Sequence, residues 1–283
     1  SAIPSQPVLS KKALAAIAVL TGVFALLYAS TFKDLYLAWS TEEDYSHGFL
    51  IIPVSLYLVW RIRNELIHQP LQPSNWGFVF LVIWAAMYFL GYVGDISTFV
   101  SYSMIVLIFG MVVTIAGRKI AQLVLFPIFF LFFMIPIPSE IYTMLTNPLK
   151  LIATSASVWL LHLMKVPVYQ EGNLMHLPNY SMEVVVACSG IRSLISVVAL
   201  ALLMGYVTFR SNIRRSALFI FSLPISIFGN ILRITVTGLL AYYVSSEMAE
   251  GYSHTLAGLV TFAISFIVLF LGAYLIQWIV PEK

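Results

Sequence analysis

Eight apolar runs, none holding an aspartate or a glutamate, set the limits on this chain: about residues 13–32, 46–60, 76–92, 97–116, 120–135, 188–208, 216–244 and 254–280. A hydrocarbon core about 30 Å thick takes around 20 residues of α-helix to cross. Within it only a helix or a closed barrel satisfies every backbone N–H and C=O without water. The runs therefore predict an all-α polytopic membrane protein, a bundle of about eight transmembrane helices forming one integral membrane domain over residues 1–283. The run 46–60 is short for a crossing, so it leans on neighbours or starts above the hydrocarbon. A composition of 60% hydrophobic and 10% charged residues lies outside the range of soluble domains and agrees. The first run follows Lys11-Lys12 and lacks a small-residue cleavage site, so it reads as a span rather than a signal peptide.

Basic residues orient the bundle. Lys11, Lys12, Arg61, Arg63, Arg118, Lys119, Arg210, Arg214, Arg215 and Lys283 fall on one side, and only Lys33, Lys150 and Lys165 on the other. Acids run oppositely, with only Glu65 and Glu282 on the basic side. Eight spans with both termini cytoplasmic satisfy every loop, and the basic clusters are topology signals, not a nucleic-acid surface. Residues 139–186 then lie outside. There, one or two amphipathic helices around Pro148 and a small hairpin with turns at Gly172-Asn173 and Pro178-Asn179 would form an outer cap.

Four residues break the apolar pattern on that outer side. Cys188, the sole cysteine, stands where the hairpin passes into a long apolar helix. That excludes an internal disulfide and a multi-cysteine metal site. Arg192 follows four residues later, on the same helical face about 6 Å along the axis, a setting that favours thiolate. Arg192 and Arg233 each lie 18 residues from a cytoplasmic arginine, Arg210 and Arg215 respectively, hence roughly 27 Å above it and level with each other. An arginine inside a span is costly and marks a functional site by default. No span offers it a carboxylate, so a thiolate, a lipid phosphate, water or a group on a ligand must offset the charge. Asn230 shares the face of Arg233, one turn away, and bracing of carbonyls there is the structural alternative; snorkelling is the alternative for Arg192. His254 opens the last span and His47 the second, the latter read as structural or substrate-facing. His68, His162 and His176 belong to no constellation.

At Ala187-Cys-Ser-Gly-Ile-Arg-Ser193, Gly229-Asn-Ile-Leu-Arg-Ile234 and His254-Thr-Leu-Ala-Gly258 the chain resembles the exosortase/archaeosortase family of multi-pass membrane cysteine enzymes. Asp44 to Trp60 is similar to the amino-terminal signature of the bacterial branch. His254, where archaeal relatives tend to carry arginine, also favours a bacterial exosortase of the inner membrane. The resemblance implies a catalytic set of Cys188, Arg233 and His254, with Arg192, Asn230, His47 and Ser189 supporting it or binding substrate. It implies no cofactor, no metal and no nucleic acid. Its substrates are secreted proteins ending in a PEP-CTERM-like motif, a membrane helix and a basic tail; its partners are those proteins, membrane lipid, and a lipid or polysaccharide acceptor at the cell surface. Cys188 would attack the scissile carbonyl, Arg233 or Arg192 would hold the oxyanion, and His254 would move the proton. The substrate helix would dock between spans at Gly205, Gly229 and Gly238. Two other classes fit the same arginines: a transporter or channel for an anionic solute, and a non-enzymatic assembly scaffold.

Overall fold

The computed structural model describes residues 11–178, 180–184, 191–245 and 252–281, which form two compact units, residues 1–136 and 137–283. Nearly all of it is helix. Five helices are long and apolar enough to cross a membrane, or up to seven if each of two bent helix pairs counts as one span.

In the first unit, the apolar run 13–32 does not continue as one helix. It breaks at Tyr28 into α1 (Lys11–Leu27) and α2 (Ala29–Thr41), bent by 62°. The polar stretch from Lys33 stays helical as far as Thr41 because Thr31, Leu35 and Trp39 repeat every four residues and bury one face. The Tyr28 side chain is fully buried at the break. It sits in a chain of hydrogen bonds: Trp84 Nε1 donates to Tyr28 OH (2.8 Å), which donates to Ser103 Oγ (2.8 Å), which donates to the Val100 carbonyl (2.6 Å). That chain ties the break to α5 (Trp76–Val93) and α6 (Ser97–Ile115). These two helices form a close hairpin with small residues in the seam; a methyl on Gly91 would stand 2.9 Å from Val100. The short α3 (Gly48–Arg61) and α2 are each joined to the α7 region (Arg118–Phe130, then a 3-10 turn over Leu131–Met134) by side chain to backbone. Ser55 Oγ donates to the Pro127 carbonyl (2.7 Å) and Trp39 Nε1 to the Met134 carbonyl (2.8 Å). A five-residue helix, α4 (Arg63–Ile67), follows α3.

The second unit opens with one helix where the sequence allowed one or two: α8 (Ser139–Leu163), with Pro148 inside it. The region expected as a hairpin is a three-stranded antiparallel sheet, β1 (Tyr169–Glu171), β2 (Leu174–Leu177) and β3 (Tyr180–Glu183), in the order β1-β2-β3. Gly172 has φ +61°, the value that tight two-residue hairpin turns require. Alternation gives the sheet a dry face. Met175, Leu177 and Val184 are buried with Leu161 and Val158 of α8 and with Ile234 and Ala241 of α10 (Asn212–Tyr243). Helices α9 (Ile191–Thr208), α10 and α11 (Tyr252–Ile279) pack around a second cluster that includes Val197, Leu218 and Leu269. Arg214, read from sequence as a topology signal, is 8% exposed and caps α11. Its Nε donates to the Val280 carbonyl (2.8 Å) and its Nη2 to the Gln277 carbonyl (3.3 Å).

Candidate functional site

Helix α10 carries the polar centre of the second unit. Along it Ser222, Ser226, Asn230, Thr235 and Thr237 are buried, and Arg233 lies among them, half-buried. Thr235 and Thr237 hydroxyls donate back to the carbonyls of Ile231 (2.8 Å) and Arg233 (2.9 Å), which removes their polarity from the apolar surroundings. Ser157 of α8 donates to the Ile231 carbonyl (3.2 Å) and fastens α8 to this turn. Arg192, Asn230 and Arg233 are all engaged in interactions.

The Arg233 guanidinium reaches across to α11. A methyl added to Gly258 would stand 3.4 Å from Arg233 Cζ and 3.5 Å from its Nη2. The guanidinium thus rests on the helix surface at Gly258, where the missing side chain leaves room for it. Gly258 is four residues after His254, on the same face and about 6 Å along the axis. Gly258 stood in the sequence block that carried the family resemblance, but its contact with Arg233 was not foreseen. The signal was the i, i+4 spacing from His254.

Other predicted site residues lie elsewhere or outside the described set. Cys188 and Ser189 fall within residues 185–190, outside the described residues, as does most of the Glu247-to-Ser253 loop. The backbone of His254 is in the first turn of α11, its side chain outside the described set. Arg192 is the second residue of α9 and half-buried. His47 belongs to the first unit, where its Nε2 donates to the Phe133 carbonyl (3.0 Å) and anchors the start of α3. The three histidines assigned no site role have local partners: His68 Nδ1 donates to the Asn64 carbonyl (2.6 Å), His162 Nε2 to the Val168 carbonyl (2.8 Å), and His176 Nδ1 meets Ser181 Oγ (2.8 Å).

Below Arg233, α10 and α11 part to leave an apolar groove of about 250 Å³ lined by Phe221, Phe228, Gly229, Leu232, Ile264 and Ser265, among others. The three glycines expected to receive a substrate helix are all covered by the chain itself, Gly205 by Arg215, Gly238 by Leu161 and Gly229 by Ser265 of α11, although Gly229 also lines the groove.

The fold is that of a polytopic helical membrane protein, and it holds a half-buried guanidinium of one long apolar helix against the next. The family it belongs to is shown by its sequence: residues 39–271 match the family described as Transmembrane exosortase (Exosortase_EpsH), and the chain is a member of that family. The match takes in α10, α11 as far as Leu271 and the segment around Cys188. Membership carries with it the activity class of a membrane transpeptidase or protease. Neither a curated protein nor a solved structure matches the chain.

Proposed function

We propose that the protein is a membrane-embedded cysteine protease or transpeptidase acting on the carboxy-terminal sorting signals of secreted proteins at the outer face of a bacterial inner membrane. The observation that supports it most is the seating of the Arg233 guanidinium on α11 one turn from His254. Placing a guanidinium inside a span costs roughly 3 kcal/mol or more, so its position is a specific expense of the fold.

The Cys188 thiolate adds to the scissile carbonyl and the oxygen takes the negative charge. Arg233 stabilises that oxyanion in surroundings where a fixed donor is worth roughly 3 kcal/mol. Collapse breaks the C–N bond, the departing amine takes a proton from His254, and the acyl group remains on sulfur as a thioester. His254 then accepts a proton from the incoming acceptor hydroxyl, amine or water, which displaces the thiolate. The acceptor is water, a lipid or a cell-surface polysaccharide, and membrane lipid surrounds the site. The apolar groove beside Gly229 suits the membrane helix of the substrate.

Two measurements test this. Co-expression with a secreted protein that ends in motif, helix and basic tail should give a shortened product, and Cys188→Ser should abolish it while the protein still inserts. In the unmodified protein, Cys188 should react with iodoacetamide faster than an ordinary thiol, and Arg233→Ala should slow it. Normal processing by the Cys188→Ser protein removes the enzymatic reading.

A further inference from the structure

The backbone of the small sheet points toward a peptide-binding edge. Both of its loops have two residues, so Glu171–Leu174 and Leu177–Tyr180 close their hairpins as hydrogen-bonded pairs, and bonding alternates from there. In β3, Tyr180 and Met182 therefore aim N–H and C=O at β2. The pattern continues at Val184, whose N–H donates to the Asn173 carbonyl (2.9 Å). Ser181 and Glu183 aim theirs the opposite way, off the edge of the sheet. Among the described residues, no backbone–backbone hydrogen bond outside the sheet ladder meets either of them.

The direction in which that edge faces follows from the packing. β1 and β2 lie against α8, whereas β3 lies against α10. Tyr180 and Met182 join the apolar cluster that includes Ile231, Ile234 and Leu239 of α10, the stretch that contains Arg233. The order β1-β2-β3 thus runs from α8 to α10, and the open edge of β3 is on the α10 side of the sheet. Helix α11, which seats the Arg233 guanidinium, packs on α10 and α9. Cys188 follows Glu183 by five residues, a tether of at most about 17 Å.

We propose that the edge of β3 is a strand-addition site for an extended stretch of peptide, and that Ser181 and Glu183 position the substrate's backbone there through their main-chain groups. This rests on the proteolytic reading above and deepens it by assigning how the sorting motif is held. A four-residue strand registers a partner of about its own length, so the site reads a short motif. Main-chain bonds supply the grip, while alternate peptide side chains turn toward the Arg233 side or toward water.

Proline separates this role from a structural one. Ser181→Pro removes an N–H that the sheet does not use, at an edge position where proline is tolerated. Ser181→Ala removes only the side chain that meets His176. With a fusion protein carrying the motif, helix and basic tail as probe, Ser181→Pro should cut processing at least tenfold, mainly through KM. Its Cys188 iodoacetamide labelling should match the unmodified protein, and Ser181→Ala should process normally. Equal processing by the proline and alanine variants overturns the proposal. A second measurement stands if the proline variant does not fold: amide exchange in the Cys188→Ser protein, with and without the fusion. Protection of Ser181 and Glu183 but not of Gln170 on the β1 edge supports the proposal. Amides already protected without the fusion, or unchanged by it, show the edge covered by the chain itself or a second copy, and overturn it. Failure of the unmodified protein to cleave the fusion strikes the enzymatic reading instead, and the exchange result still decides the edge.

Discussion

The two units solve one membrane problem in different ways. In residues 1–136, the polar side chains that tie the helices together are neutral: Tyr28, Trp39, His47, Ser55, Trp84 and Ser103 each take part in hydrogen bonds of 2.7–3.0 Å that join distant parts of the unit. Their purpose is to latch irregular backbone, the break at Tyr28 and the turn after α7, where an unsatisfied group in hydrocarbon costs several kcal/mol. In residues 137–283, α10 brings a full charge into the same kind of interior and seats it on a neighbouring helix. A second guanidinium of this unit, Arg214, braces the end of α11 through two carbonyls, whereas that of Arg233 lies against the bare surface at Gly258. The contrast is between neutral latches in the first unit and guanidinium groups set between helices in the second.

Substitutions can break that contrast. The largest expected effect is at Arg233. Alanine and lysine should both lower processing by about 10²–10³-fold, because the lysine ammonium lacks the planar fork. Thermal unfolding in detergent should shift little. An active lysine variant would reduce Arg233 to a point charge. Next comes Gly258. Alanine brings only an ordinary contact at 3.4 Å and should process nearly normally, whereas leucine must displace the guanidinium and should cost roughly tenfold or more. Equal activity of the two would uncouple Gly258 from the site. The smallest effect on turnover is expected at Tyr28→Phe, which removes the middle of the Trp84–Tyr28–Ser103 chain. It should cost about 1–3 kcal/mol of stability, seen as a lower unfolding temperature, with processing per folded molecule unchanged. A loss of turnover there would show that the first unit does more than support.

Much of this was legible in the sequence, for physical reasons that differ by region. A helical membrane bundle was readable because hydrocarbon imposes length and apolarity, but against the eight spans expected, five described helices, or up to seven with each bent pair counted as one, are long and apolar enough to cross. The break at Tyr28 was not, since no proline or glycine marks it and its cause is the burial of one side chain against α5 and α6. Helix α2 was hidden because its buried stripe of Thr31, Leu35 and Trp39 is too narrow to raise hydropathy. The two turns at Gly172-Asn173 and Pro178-Asn179 each mark a hairpin, so together they specify three strands; the expectation of a single hairpin undercounted them. At the site, Arg233 stood out by its charge alone. Gly258 did not, because the importance of an absent side chain shows only when its neighbour is in place.

The clamp at the opposite end of α11 bears on how the chain is made. Arg214 is synthesised 66 residues before Val280, whose carbonyl it will hold. Until the last helix is in place, neither of its two bonds to α11 can form. A chain that stopped short of Gln277 would therefore lack both bonds that join the start of α10 to the last helix.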